Sequence, residues 1–224
     1  MPTQVLADNL FSKIQTMLNQ KNNGQAVAQG GTQLETNQNN APLYFRSRKK
    51  KTYLINGLAS SIESIGYGFT NLSRKIPGSS LHNYASFIES STVIRSRITR
   101  EIKSAYRQDP NVEINLIGIS FGANIVTLIA TDLDLARIPV NYIATLEGPA
   151  MVPIRKNVRI ADSFSCTNLD CFRTRSRLAF GNKVTKFRTF KVNSSHIPLA
   201  DHPSVHTRIV SQINALPPSA YSAQ

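Results

Sequence analysis

Tryptophan is absent from this chain of 224 residues, and cysteine occurs only twice. No apolar run approaches the length of a membrane-crossing helix, so none is expected. Met1 to Leu10 contains Asp8 and lacks a basic start and an apolar stretch. No cleaved secretory signal is therefore visible, and a cytoplasmic location is expected, with peripheral membrane contact or export by another route left open. Acidic residues are scarce as well: 13 Asp+Glu stand against 26 Lys+Arg, a formal charge of +13. Lys13 and Lys21 balance Asp8 and Glu35 within residues 1–45, so the whole excess lies on residues 46–224. That excess points to an anionic partner, either nucleic acid or a lipid surface. Cys166 and Cys171 are too few for a disulfide scaffold, and no His lies close enough in sequence to complete a zinc site. They read as free thiols, a local disulfide closing a surface loop being the alternative for an exported protein. No metal or cofactor is expected.

What the chain does contain is 41% hydrophobic residues, enough for one ordinary domain with an appendage. Val5, Leu6, Leu10, Phe11, Ile14, Met17 and Leu18 recur at helical spacing, which predicts an amphipathic helix over residues 1–20. Residues 21–45 are rich in Asn, Gln and Gly and read as a flexible linker. The domain follows over 46–217, with a tail at 218–224. The amino-terminal helix is expected to dock on its own domain or a sister chain, because membrane-surface helices carry more Lys and Arg.

Within the domain, strand-like and helix-like stretches alternate. Thr52–Asn56, Leu81–Phe87, Val112–Ile119, Val140–Leu146, Val158–Phe164 and Val184–Val192 read as strands. Helices are predicted over Ile65–Ile76, from Ser91 or Thr92 to Asp109, over Phe121–Leu133 and over Ser204–Leu216. In the second of these, Val93, Ile94, Ile98, Ile102 and Tyr106 are expected on the buried side. Continuous apolar strands separated by helices indicate an α/β fold with a mainly parallel sheet covered on both faces.

One segment carries chemistry. Gly118, Ser120 and Gly122 form G-x-S-x-G between an apolar strand and an apolar helix. A serine on such a sharp strand-to-helix turn is lifted above the sheet in a strained conformation, and side chains two residues either way would collide. The bare pattern is common by chance; its setting makes Ser120 a candidate nucleophile rather than part of a structural turn. A nucleophilic serine needs a base and an orienting acid. Of four histidines, His196 stands in a loop after the last strand and is the candidate base, with His202 second. His82 reads as structural, at the start of a strand, and His202 and His206 as surface or capping residues. Glu147, ending a strand before Gly148-Pro149, is the candidate acid, with Asp162 as the alternative. Backbone N–H groups of Phe121 and of Leu58, which follows Gly57, are the candidate oxyanion donors.

The blocks Leu54–Ala59, Leu116–Asn124, Ala144–Ala150 and Ser195–Val205 resemble successive blocks of the α/β-hydrolase superfamily, most of all its bacterial lipase- and thioesterase-like members. The resemblance spans about residues 50–215. It implies an α/β-hydrolase fold without a large lid and an acyl-enzyme on Ser120, formed from a carboxylic ester or thioester, possible substrates including lipid. The chain departs from the lipase pattern in having Glu for Asp at 147, an inserted Gly148, and Ile119 where His is frequent. Ser165–Lys183, with Arg173, Arg175 and Arg177, is either a substrate-facing insertion or a basic surface excursion. Two other functions compete: a catalytically inactive interaction protein on a hydrolase fold, and a sequence-independent nucleic-acid binder. The scattered basic residues lack an aromatic-and-basic motif, which disfavours the latter.

Overall fold

The computed structural model describes residues 49–57, 63–84, 86 and 89–215, the side chains of 63–67 and 89–91 excepted. The expected amino-terminal helix, the linker, Leu58 and the tail lie outside these residues.

Six strands form one parallel sheet: β1 (Lys50–Ile55), β2 (Ser80–His82), β3 (Glu113–Ile119), β4 (Val140–Leu146), β5 (Val158–Cys166) and β6 (Lys186–Val192). Their order across the sheet is β2-β1-β3-β4-β5-β6. Among the described residues, four α-helices accompany them: α1 (Glu63–Arg74), α2 (Arg95–Gln108), α3 (Phe121–Leu135) and α4 (Pro203–Asn214). Every residue of β3 is buried, as befits a central strand covered on both faces.

The period-two alternation of the strands divides the core in two. On one face, Tyr53, Ile55, Ile114, Leu116 and Ile143 pack against Ile98 and Ile102 of α2 and Val126, Ile129 and Leu133 of α3. On the other, Leu54, Ile117, Tyr142, Ala144 and Phe164 meet Phe69 and Leu72 of α1 and Val205, Ile209 and Ile213 of α4. Helices thus cover both faces, and the fold is α/β as the apolar pattern indicates.

Several local expectations need correction. The weak strand shortens to Ser80–His82, so His82 ends it rather than starting it. A π-helical turn, Glu89–Ile94, precedes α2. Its wider winding breaks the 3.6-residue phase, so Val93 is exposed while Ile94 is buried. His206 is not a surface residue. It is buried on the same α4 face as Ile209 and Ile213; its Nε2 donates to Ala200 O at 2.7 Å and its Nδ1 accepts from Lys75 Nζ at 3.0 Å. His202 is the N-cap residue of α4, with Nδ1 2.8 Å from Ser204 Oγ. Cys166 and Cys171 are not free thiols: the chain turns back after β5, brings their Cα atoms to 5.7 Å and joins them in a disulfide.

The strand order reverses between β1 and β3. There the connections leaving the two strands diverge to opposite sides, opening a crevice at the carboxyl edge of the sheet.

Candidate active site

Ser120 stands at that crevice, between the end of β3 and the start of α3, with φ 57° and ψ −126°. This is a region that non-glycine residues rarely adopt, and it is held by the packing of strand, turn and helix. A Cβ on Gly118 would run into the backbone of Gly122, and one on Gly122 into the carbonyls of Ile55 and Asn56. The two glycines therefore serve close backbone approach, which is the mechanical reason for the spacing. Gly57 has a related duty: a Cβ there would lie 3.0 Å from the Ser120 Cβ.

Glu147 follows β4. Ile119 of β3 is paired with Leu146 of β4, and the Ser120 N–H donates to Leu146 O at 3.0 Å. The serine and the carboxylate therefore leave adjacent strands at the same level. Glu147 is fully buried and, like Ser120, has a positive φ, 41°. The inserted Gly148 is needed here, because a Cβ would come within 2.7 Å of Asn124 Oδ1 and 2.8 Å of Ser120 O.

The Glu147 carboxylate is met by donors on both oxygens. Oε1 accepts the backbone N–H groups of Cys166 at 3.1 Å and Arg173 at 2.9 Å; Oε2 accepts that of Phe172 at 3.1 Å. The fourth partner is His196, whose Nδ1 lies 3.0 Å from Oε2. A carboxylate offers about four acceptor positions, so these four use its capacity. Since Oε2 can only accept, Nδ1 carries the proton, and Nε2 is left with the lone pair. Three main-chain donors also explain how a buried carboxylate avoids the penalty of desolvation without a cationic partner.

His196 is 6% exposed and its orientation is fixed from several sides. Its main-chain N–H donates to Asp170 Oδ2 at 3.1 Å, and the Phe172 ring meets the imidazole edge-on at 4.6 Å between centroids. Asn168 Nδ2 donates to Ser195 Oγ at 2.9 Å. Segment 166–173 thus wraps the acid and is stitched to the loop that carries the histidine. Thr174 and Ser176 turn inward, toward Gly148 N and Thr145 Oγ1, while Arg173, Arg175 and Arg177 are exposed. The role of 166–173 as a cradle was not legible in the sequence, because it is made by main-chain N–H groups that every residue possesses.

Asp162, the alternative acid, lies within β5 and is equally inaccessible. It accepts from Tyr142 Oη at 3.0 Å and from Arg208 Nε at 2.8 Å. Burial, with Asp162 alongside, raises the Tyr142 hydroxyl well above its ordinary range. Of the two carboxylates, Glu147 is the one set against His196. His82 accepts from Arg97 at 3.0 Å through Nδ1; burial and the Arg97 charge push its imidazole down to about 4.

Glu147, Cys166 and His196 each bring a potential metal-ligating atom within 4.8 Å of the others. The Cys166 sulfur belongs to the disulfide and is not a thiolate, so the set offers a metal only one nitrogen and a carboxylate already in use. A cavity of 620 Å³ lined in part by Leu128, Val152, Pro153 and Phe180 opens elsewhere, and neither Ser120, Glu147 nor His196 lines it. Among the described residues, no helix is long and apolar enough to cross a membrane.

A serine elbow between strand and helix, with carboxylate and imidazole gathered at the carboxyl edge of a parallel sheet, defines an α/β-hydrolase fold. No family model and no curated protein sequence matches the chain. Solved structures similar in chain arrangement include the thioesterase domain that cyclises the lipopeptide antibiotic surfactin. It is 12% identical, with 77% of this chain and 94% of that one covered and a TM-score of 0.49. A cutinase-like protein from Cryptococcus sp. is 17% identical over 73% of this chain and 92% of that one, TM-score 0.47. Human thioesterase 2 is 9% identical over 74% and 96%, TM-score 0.47.

Proposed function

We propose that this protein is a serine hydrolase that cleaves carboxylic esters or thioesters through an acyl-enzyme on Ser120. The observation that carries the reading is the buried Glu147–His196 contact at 3.0 Å, with Glu147 leaving the strand next to the one that ends in a serine held at φ 57°. In the mechanism, His196 Nε2 takes the proton from Ser120 Oγ as that oxygen attacks the acyl carbonyl. Glu147 keeps the proton on Nδ1 and stabilises the imidazolium. The Phe121 N–H, at the positive end of α3, is one oxyanion donor; the second role falls to Leu58, outside the described residues. His196 then returns the proton to the leaving group, and water, activated by the same imidazole, releases the acid. Exposed Arg173, Arg175 and Arg177 beside the cradle favour an acyl substrate that is anionic or presented at an anionic surface.

The test is a panel of p-nitrophenyl esters and acyl thioesters of graded chain length. Turnover is expected in the native protein, with a fall of about 10⁴-fold or more in Ser120→Ala. A serine-reactive fluorophosphonate should label the native protein and spare the variant. Hydrolysis retained in Ser120→Ala would remove that serine from the mechanism.

A further inference from the structure

The disulfide sits against the acid. Cys166 Sγ lies 3.2 Å from Glu147 Oε2, the oxygen that faces His196. In the bridged state this sulfur has no proton and cannot donate. The five-residue step from Cys166 to Cys171 also ties together the two sides of the cradle. The Cys166 N–H binds Oε1 from one side of the bridge, the N–H groups of Phe172 and Arg173 bind from the other, and Asp170 inside the loop holds the His196 N–H.

We propose that the Cys166–Cys171 bridge is a redox-controlled positioning device for the acid–base pair, a reading that rests on the hydrolase function above. Oxidised, it brings no further donor to Oε2, which accepts from Phe172 and His196. Reduction by a dithiol breaks the S–S bond; each sulfur takes up one electron and one proton, and the reductant closes to its own disulfide. The new Cys166 S–H then stands within reach of an oxygen that already accepts from Phe172 and His196. A fifth donor on a saturated carboxylate displaces one of the four, and the Nδ1–H of His196 is the one carried by a side chain, whose holds, Asp170 and Phe172, stand on the segment that the bridge tethers. The loop 167–170 loses its tether in the same step. Cys166 and Cys171 are positioning residues in this scheme, acting on Ser120 only through Glu147 and His196.

The test compares the full-length oxidised protein, the same protein after dithiothreitol treatment with two thiols titrated, and two double variants. Cys166→Ser/Cys171→Ala keeps a donor at 166; Cys166→Ala/Cys171→Ala has none. Reduction and the serine variant are expected to lower kcat about 10- to 100-fold with KM changed less than about twofold. The alanine variant should keep several times the kcat of the serine variant, and neither variant should respond to dithiothreitol. A downfield proton resonance from His196 Nδ1–H, assigned by its loss in His196→Gln, should be present in the oxidised protein and shift upfield on reduction. That signal is read without substrate, so it stands or falls separately from hydrolysis. Equal kcat in oxidised and reduced protein, an unmoved resonance, an alanine variant no better than the serine variant, or global loss of near-ultraviolet circular dichroism on reduction would each overturn the proposal.

Discussion

Glu147, just after β4, and Asp162, within the neighbouring β5, are both buried carboxylates, and they differ in what their oxygens meet. Glu147 faces three main-chain N–H groups and an imidazole; Asp162 faces a guanidinium and a phenol. In Glu147→Gln, whichever way the amide is turned, its NH₂ confronts two donors, and the imidazolium that His196 becomes in turnover loses its negative partner. A fall in kcat of about 10³- to 10⁴-fold is expected, read on the best ester of the panel. Asp162→Asn should instead lower unfolding stability, by about 3–5 kcal/mol in urea titrations, because the half-buried Arg208 loses its counter-charge. Its kcat, corrected for folded fraction, should stay within a few-fold of native. The distinction was partly legible beforehand: position 147 follows its expected strand at the edge where chemistry collects, whereas position 162 falls inside or at the end of the expected strand Val158–Phe164. The sharp turn at Ser120 was legible because its glycine spacing has a steric cause. The disulfide was not, since a spacing of five residues does not reveal how the chain turns between them. The burial of His206 was encoded in its register with Ile209 and Ile213 on one helical face.

Among the elements, α3 couples the site to the core, and its far end is finished by a recognisable device. Arg137 N donates to Asp134 O at 2.9 Å and Ile138 N to Leu133 O at 2.8 Å, with Arg137 at φ 57°. This is the Schellman arrangement, which favours glycine at the left-handed position. Arg137→Gly should raise stability by about 1 kcal/mol. In a calorimetric scan that corresponds to a rise in Tm of about 2–4 °C. Turnover should be unchanged, because Ser120 lies at the opposite end of the helix. The strands and helices were readable from apolar periodicity, and Val140–Leu146 matches its expected bounds. The π-helical turn before α2 was not, since a single wide turn leaves the composition of its residues ordinary. Nor was the function of 166–173, where irregular backbone does work usually assigned to side chains.

At the scale of the whole molecule, the cationic excess is sharpened by where the acids go. Glu113, Glu147 and Asp162 are buried, and Asp132 and Asp134 are paired with Arg95 and Arg155. Stability should also follow pH through His82. Its imidazole titrates near 4 in the folded protein against 6.5 when solvated, so between those values the unfolded chain binds a proton that the native one refuses. Stability is therefore lost as pH falls through that window, and His206, also lowered by burial, acts in the same direction. The drop in urea midpoint from about pH 7 to about pH 4.5 should be smaller in His82→Gln, which keeps an acceptor for Arg97 and does not titrate. The 49 residues separating Glu147 from His196 matter in time as well as in space. At ribosomal speeds of about 5–20 residues per second, roughly 2.5 to 10 s pass between the synthesis of one and of the other. Throughout that interval the nascent chain holds Ser120 and Glu147 without the imidazole of His196. On the proposed mechanism, the newborn protein stays silent until the loop after its last strand has been laid down.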